Sequence, residues 1–404
     1  MSDPLNPYRP GAGVSPPVLA GRDEVLASFD ELVSDVGATG EGTRPWLVTG
    51  TRGVGKTVLL LEFAQRARDA GWEVASIEAG PPEHLARAFV RELYVPMHRA
   101  WARHQAARSA DQLSPVRSAL RRLIGVFSSF RVQWDTKGVA SFSLDLKPDE
   151  PEVHLSGDLG SDLFELLRAL GEWLRTENRA ALITIDELDA AVTPDLHGIN
   201  KALHLLGQED LPVPIHVVAA GQSHLPTVLA KANPYAERLY RVVPLGPLSR
   251  GAALTALTEP ARHVGVQWEE GAAEDVVEAT WAVPYFLQAV GRYAFELRRA
   301  GTIRRVDAHA AVGLAFEEAE SIFRVRWDGL TEAQRGLVVA LSKRGGEASL
   351  AELAADRGRT TAQLSRPRSQ LIARGVVEAS SSGRLRMTLP GFAEFAARLA
   401  GEDA

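Results

Sequence analysis

The chain has 404 residues, of which 45% are hydrophobic and 24% charged, with a net charge of −6. That is an ordinary globular composition, long enough for two to four domains at roughly 100–200 residues each. The absence of cysteine excludes disulfides, thiolate metal sites, iron–sulfur clusters and cysteine nucleophiles, and fits a reducing, cytoplasmic setting. No apolar run approaches the ~18–20 residues of a membrane span. Met1–Pro10 lacks the basic and apolar regions of a secretory signal. The negative balance excludes a wholly basic nucleic-acid coat but leaves room for one basic module. Six lysines stand against 39 arginines, a bias expected of a GC-rich bacterial genome.

Met1–Pro17 is rich in Pro and Gly and reads as an extended arm. Val25, Leu26, Phe29, Leu32, Val33 and Val36 have helical spacing. Trp46–Thr49 reads as a buried strand, and a helix is predicted from about Val58 to Asp69, stopped by Gly71. Glu73–Ile77 is a second strand, and the strand–helix–strand order predicts a parallel sheet. From 82 to about 160 the chain carries an insertion. Two arginine-bearing helices run to Phe127. A hairpin follows, with strands Ser129–Gln133 and Val139–Leu146 about the turn Asp135–Gly138. A helix over Ser161–Thr176 precedes a buried strand, Ala181–Ile185. Another strand, His216–Ala220, ends at Gly221-Gln222-Ser223, and Val242-Val243 begins a short last one. From Leu248 to about Trp327 the pattern is nearly all helical. From 328 the pattern is helix, helix, turn, helix and then a hairpin about Ser380–Gly383, with a closing helix near Gly391.

Gly50-Thr51-Arg52-Gly53-Val54-Gly55-Lys56-Thr57 fits G-x-x-x-x-G-K-[ST] in full. Glycines let the backbone curl until its N–H groups face a phosphate. The helix that opens at Val58 adds its positive dipole end. Lys56 reaches the β- and γ-phosphates, and the Thr57 hydroxyl suits Mg²⁺. Asp186-Glu187, delivered by a buried strand, supplies a carboxylate for Mg²⁺ in Asp186 and a general base for the attacking water in Glu187.

These motifs resemble those of the AAA+ ATPases, close to the origin-recognition and loader ATPases and to the STAND signalling ATPases. The resemblance implies an α/β P-loop core with a parallel sheet, a helical lid and a C-terminal winged helix-turn-helix. It divides the chain into 1–44 (arm and first helix), 45–245 (core), 246–327 (lid) and 328–404 (winged helix). It implies ATP/ADP and Mg²⁺ as cofactors, with ATP held at the junction of core and lid. Leu19–Glu24 is similar to the family segment near adenine and ribose, which brings in Leu19 and Arg22. Asn6–Gly11 is similar to the stretch that covers the base. Ser223 stands at the sensor 1 position. Arg238 stands in the segment that carries an arginine finger in oligomeric members. Ala282-Val283-Pro284 resembles the GxP element of STAND ATPases, with Ala282 in place of glycine. Gly291-Arg292 offers the alternative sensor 2 pattern, short by two residues.

Residues 328–404 carry 11 Arg/Lys against 9 Asp/Glu, a net of +2. Arg366, Arg368 and Arg374 fall on or near the predicted recognition helix, and Arg384 and Arg386 on the wing. Arginines so placed neutralise DNA phosphates, although Pro367 predicts a kink in that helix. The expected function is an ATP-binding and ATP-hydrolysing switch that couples nucleotide state to double-stranded DNA. The alternatives are a STAND-type regulator with a protein partner, or homo-oligomer, and a nucleotide-bound scaffold without hydrolysis.

Overall fold

The computed structural model describes residues 4–80, 84–106, 115–134, 155–209, 212–379 and 383–402. They form two compact units, Asp23–Thr49 with Lys56–Pro244, and Met1–Arg22 with Gly50–Gly55 and Leu245–Ala404. Each is described by itself, the first as the sheet unit and the second as the helical unit.

The sheet unit opens with α1 (Asp23–Thr39), β1 (Trp46–Thr49) and α2 (Lys56–Asp69). Phe29 of α1 stacks on Phe63 of α2 at 4.2 Å, and Trp46 of β1 meets both rings edge-on. β2 (Glu73–Glu78) is followed by α3 (Leu85–Ala106), α4 (Pro115–Trp134) and α5 (Leu159–Thr176). Here the sequence expectation is corrected. Ser129–Gln133 is the last part of α4 and not a strand. Leu120, Leu123, Phe127 and Phe130 are buried, a helical face that reaches Phe130, inside the five residues whose alternation suggested a strand. Val139–Leu146 and the turn before it lie outside the described residues. Asp158 caps α5 by accepting the Ser161 N–H at 2.8 Å. The buried stripe Leu163, Leu166, Leu167, Leu170 and Leu174 has the period of a helix packed on a sheet.

β3 (Ala181–Asp186), α6 (Thr193–Leu206), β4 (Ile215–Gly221), α7 (Leu225–Ala232), α8 (Ala236–Leu239) and β5 (Arg241–Pro244) complete the unit. The sheet has the order β2-β3-β4-β1-β5, with every adjacent pair parallel. β1, β3 and β4 are buried along almost their whole length, as central parallel strands require. All five strands therefore run out at one edge. β4 lies between β1 and β3, so the loops after these two strands are separated by the loop after β4.

In the helical unit α9 (Arg250–His263) begins at Ser249, whose hydroxyl accepts the Ala252 N–H. Then come β6 (Gln267–Trp268), α10 (Ala272–Ala279), α11 (Pro284–Leu297), β7 (Thr302–Ile303) and α12 (Arg305–Asp328). The two-stranded β6–β7 ribbon is parallel and carries too few residues for periodicity to show. After α12 follow α13 (Glu332–Ser342), β8 (Glu347–Ala348), α14 (Leu350–Asp356), α15 (Thr361–Ala373), β9 (Val377–Ala379), β10 (Leu385–Met387) and α16 (Phe392–Glu402). Thr331, Ser349 and Thr360 each close a reciprocal capping box, which fixes the starts of α13, α14 and α15. β8, β10 and β9 form an antiparallel sheet in that order. α15 runs through Pro367 as one helix. One apolar core joins α9–α12 to Tyr8 of the arm. A second joins α13–α16 to Val283, Phe286, Phe323 and Trp327.

Candidate functional site

In the sheet unit, Lys56 and Thr57 are the first residues of α2, and Asp186 is the last of β3. The Thr57 hydroxyl donates to Asp186 Oδ2 at 2.6 Å. Asp186 Oδ1 accepts the Glu187 backbone N–H at 2.8 Å. Both carboxylate oxygens are thus oriented. A hydroxyl beside a carboxylate at this spacing is a hard oxygen donor set, the kind that suits Mg²⁺. Glu187 is exposed and has φ +49°. A left-handed glutamate costs on the order of 1–2 kcal/mol. A 3-10 turn over Leu188–Ala190 follows, with the Ala190 N–H donating to the Glu187 carbonyl at 2.8 Å. Ser223 lies just beyond β4, exposed, one residue after Gln222. Arg238 is exposed on α8. Val58 follows in α2 and is half-buried.

The glycine loop Gly50–Gly55 belongs to the helical unit. Gly53 and Gly55 have φ +83° and +94°, which only glycine adopts at little cost. A Cβ on Gly50 would lie 2.3 Å from the Leu245 carbonyl oxygen. Val54 is fully buried, and the loop faces solvent at Arg52. Arg22 Nη2 donates to the carbonyls of Val54 at 3.0 Å and Gly246 at 2.9 Å. Burial lowers its guanidinium from the usual arginine value. Arg22 therefore braces the glycine loop itself, a contact that the motif resemblance does not foresee. Leu19 is half-buried three residues earlier.

Pro284 is the first residue of α11. One residue on, the Tyr285 N–H donates to the Gly53 carbonyl at 3.1 Å. Before it, Trp281 and Ala282 are both left-handed, at φ +51° and +55°. The pattern's glycine at position 282 thus has a physical reason, and alanine occupies it under strain. Gly291 has a different role from the one suggested by the short sensor 2 pattern. A Cβ there would lie 2.5 Å from the Tyr8 ring, so this glycine seats the arm. The Tyr8 hydroxyl donates to the Leu257 carbonyl and accepts from Trp268 Nε1. Asn6 Nδ2 donates to the Arg292 carbonyl at 3.0 Å, and the Arg9 N–H to Gln288 Oε1 at 3.2 Å. Arg292 itself pairs with Glu318 at 2.6 Å. Arg326, near the end of α12, is pushed down to about 10 by burial and by the like charge of Arg52. Sequence reasoning missed that pairing because 274 residues separate the two.

The C-terminal arginines separate into two groups. Arg366 and Arg368 on α15 have no ion pair among the described residues. Arg384 reaches Glu347 and Glu352 at 3.3 Å each, and Arg386 pairs with Glu378 at 2.5 Å.

A five-stranded parallel sheet with a glycine loop after one central strand and an acidic pair after another, two places along, is the fold of the AAA+ P-loop ATPases. The AAA ATPase domain family matches residues 18–218, and this part of the chain belongs to that family. A further family, described as a domain of unknown function (DUF8462), matches residues 320–396. Among solved structures, the Walker-type ATPase PABY2304 of Pyrococcus abyssi is 16% identical, with a TM-score of 0.58 over 94% of this chain and 96% of that one. The ORC2 protein of Aeropyrum pernix, solved as ADPNP–ADP complexes, is 15% identical, with a TM-score of 0.58 over 96% and 95%. At these identities the likeness is one of fold. No curated protein matches the chain. Among the described residues no helix is long and apolar enough to cross a membrane.

Proposed function

We propose that this chain is an ATP-hydrolysing switch whose C-terminal region, 328–404, is a winged helix that meets duplex DNA. The observation that carries the ATP reading is the Thr57–Asp186 hydrogen bond at 2.6 Å, which joins the end of the glycine motif to the acidic strand. In this reading the backbone N–H groups of Gly50–Gly55 and the Lys56 ammonium hold the phosphates. Thr57 and Asp186 hold Mg²⁺, which when bound offsets phosphate charge. Glu187 accepts a proton from water as the water oxygen bonds to the γ-phosphorus and the bond to the β–γ bridging oxygen breaks. Ser223 and Arg238 act on the γ-phosphate, Arg238 from a second copy, while Leu19, Arg22 and Pro284 line or brace the nucleotide. Arg326, half-buried and acted on by the like charge of Arg52, favours an anion near the loop. Residues 246–327 act as a lid that changes position with nucleotide state.

Support for DNA comes from Arg366 and Arg368, which pair with no carboxylate among the described residues. The pairing of Arg384 and Arg386 with glutamates favours a second reading, in which this face docks a protein as in STAND regulators. Anisotropy titrations of duplex DNA at two salt concentrations separate them. Arg366→Ala with Arg368→Ala should weaken binding and flatten its log–log salt slope by about 0.9 per lost phosphate contact. The same changes at Arg384 and Arg386 should alter it less. A wild type without duplex affinity at low salt, with ATP bound, sinks the DNA reading and leaves the protein dock.

A further inference from the structure

We infer that Asp189 is the positioning residue that locks the Glu187 turn to the loop after β4, so that the water-orienting carboxylate and the Ser223 turn move as one piece. This rests on the hydrolytic reading of Glu187 given above. The strand order makes the lock possible. β3 and β4 are parallel neighbours whose last paired residues are Ile185 and Ala219, and they run out side by side. Glu187 then turns the chain in a left-handed conformation, Leu188 is fully buried, and Asp189 points back across the strand ends. Its Oδ1 accepts the Gln222 backbone N–H at 2.9 Å.

Two further contacts show that the arrangement is built around this carboxylate. A Cβ on Gly221 would lie 2.4 Å from Asp189 Oδ1 and 2.5 Å from Leu225 Cδ2, so the last residue of β4 has room only for hydrogen. The Gln222 carbonyl accepts the Leu225 N–H at 2.9 Å. Gln222 is thus held at its N–H by the acidic loop and at its carbonyl by the start of α7, with Ser223 between. The other end is also fixed. Asp186 Oδ1 takes the Glu187 N–H, and the Ala190 N–H closes onto the Glu187 carbonyl. A strained left-handed residue persists only where its surroundings over-determine it. Asp189 supplies a side-chain hydrogen bond that ties this turn to the loop after β4.

The role is conformational, with no contact to nucleotide. Removing the carboxylate should leave phosphate binding intact and let Glu187 drift, and a misplacement of about 1 Å costs up to ~100-fold in rate. The test uses the full chain with fluorescent-ATP titration and steady-state phosphate release. Asp189→Ala should bind ATP with the wild-type stoichiometry and within about threefold of its affinity, with kcat reduced by roughly 10- to 100-fold and KM little changed. Asp189→Asn keeps an oxygen acceptor for the Gln222 N–H and should recover most of kcat. A merely structural role would lower the stoichiometry of active sites in both variants instead. Normal kcat in Asp189→Ala, or equal defects in the alanine and asparagine variants, overturns the inference. Glu187→Gln distinguishes its failure from that of the parent reading. If Glu187→Gln turns over like wild type, or wild type releases no phosphate with DNA present, the hydrolytic assignment fails first and takes this one with it.

Discussion

His216 predicts an acid sensitivity of the sheet unit that can be worked through in numbers. The ring lies on β4 and is fully buried. Nδ1 is 2.9 Å from the Thr43 hydroxyl, and Trp46 meets the ring edge-on at 5.6 Å. Arg241 sits over the same indole, 4.6 Å from its centroid. Nε2 has no hydrogen-bond partner among the described residues. Burial, with the Arg241 charge second, pushes the imidazole down to about 3 from an ordinary 6.5. The folded state therefore holds this histidine neutral between pH 3 and 6.5, where the unfolded chain takes up a proton. Its contribution is complete above about pH 6.5 and is lost as the pH falls toward 3. Between pH 7 and pH 5 the unfolded state gains about 2 kcal/mol from this one group. Urea unfolding followed by tryptophan fluorescence, at both pH values, measures the loss. His216→Phe fills the same space without a titrating group, so wild type should lose about 2 kcal/mol more than the variant over that interval. Equal losses in the two proteins, within about 0.5 kcal/mol, would refute a neutral buried imidazole.

Lys56→Ala should abolish binding of both ATP and ADP in a fluorescent-nucleotide titration, since it removes the one lysine of the glycine motif; unchanged affinity would remove the phosphate assignment. Gly291→Ala should destabilise the helical unit by roughly 1–3 kcal/mol through overpacking against Tyr8. Limited proteolysis should then cut the arm, and the same substitution should be nearly silent in a Tyr8→Ala background. Ala282→Gly should raise thermal stability by up to about 1 kcal/mol, because glycine accepts φ +55° without strain; a clear loss would mean that the Ala282 methyl matters more than the backbone.

The parts legible in the sequence are those with short-range causes. The glycine motif, the buried β3 run ending in Asp186-Glu187, and the helices α9 to α16 all follow from local pattern, because their periodicity and caps lie within one element. The bracing roles were not legible. Arg22 acts on Val54 and Gly246, Tyr8 on Leu257 and Gly291, and Asp189 on Gln222. Each needs a chain crossing or a strand order that no spacing encodes. Ser129–Gln133 misled because five residues alternate in either conformation, and the decisive evidence, Phe127 and Phe130 on one buried helical face, extends beyond that window.

The assignment of Gly50–Gly55 to the helical unit has a consequence for how the protein is made. Nearly all of the sheet unit has left the ribosome once Pro244 emerges, since it needs only residues 23–49 and 56–244. The glycine loop lies 232 residues before its partner Tyr285. At about 5–20 residues per second, roughly 10–45 seconds pass between the synthesis of the two. Chains arrested shortly after Pro244 should resist protease across β1–β5 while remaining cleavable at the glycine loop; equal protection of both would count against this order. Completion of the glycine loop is in this way deferred until the last third of translation, so a truncated product folds a sheet without the contacts that hold this loop.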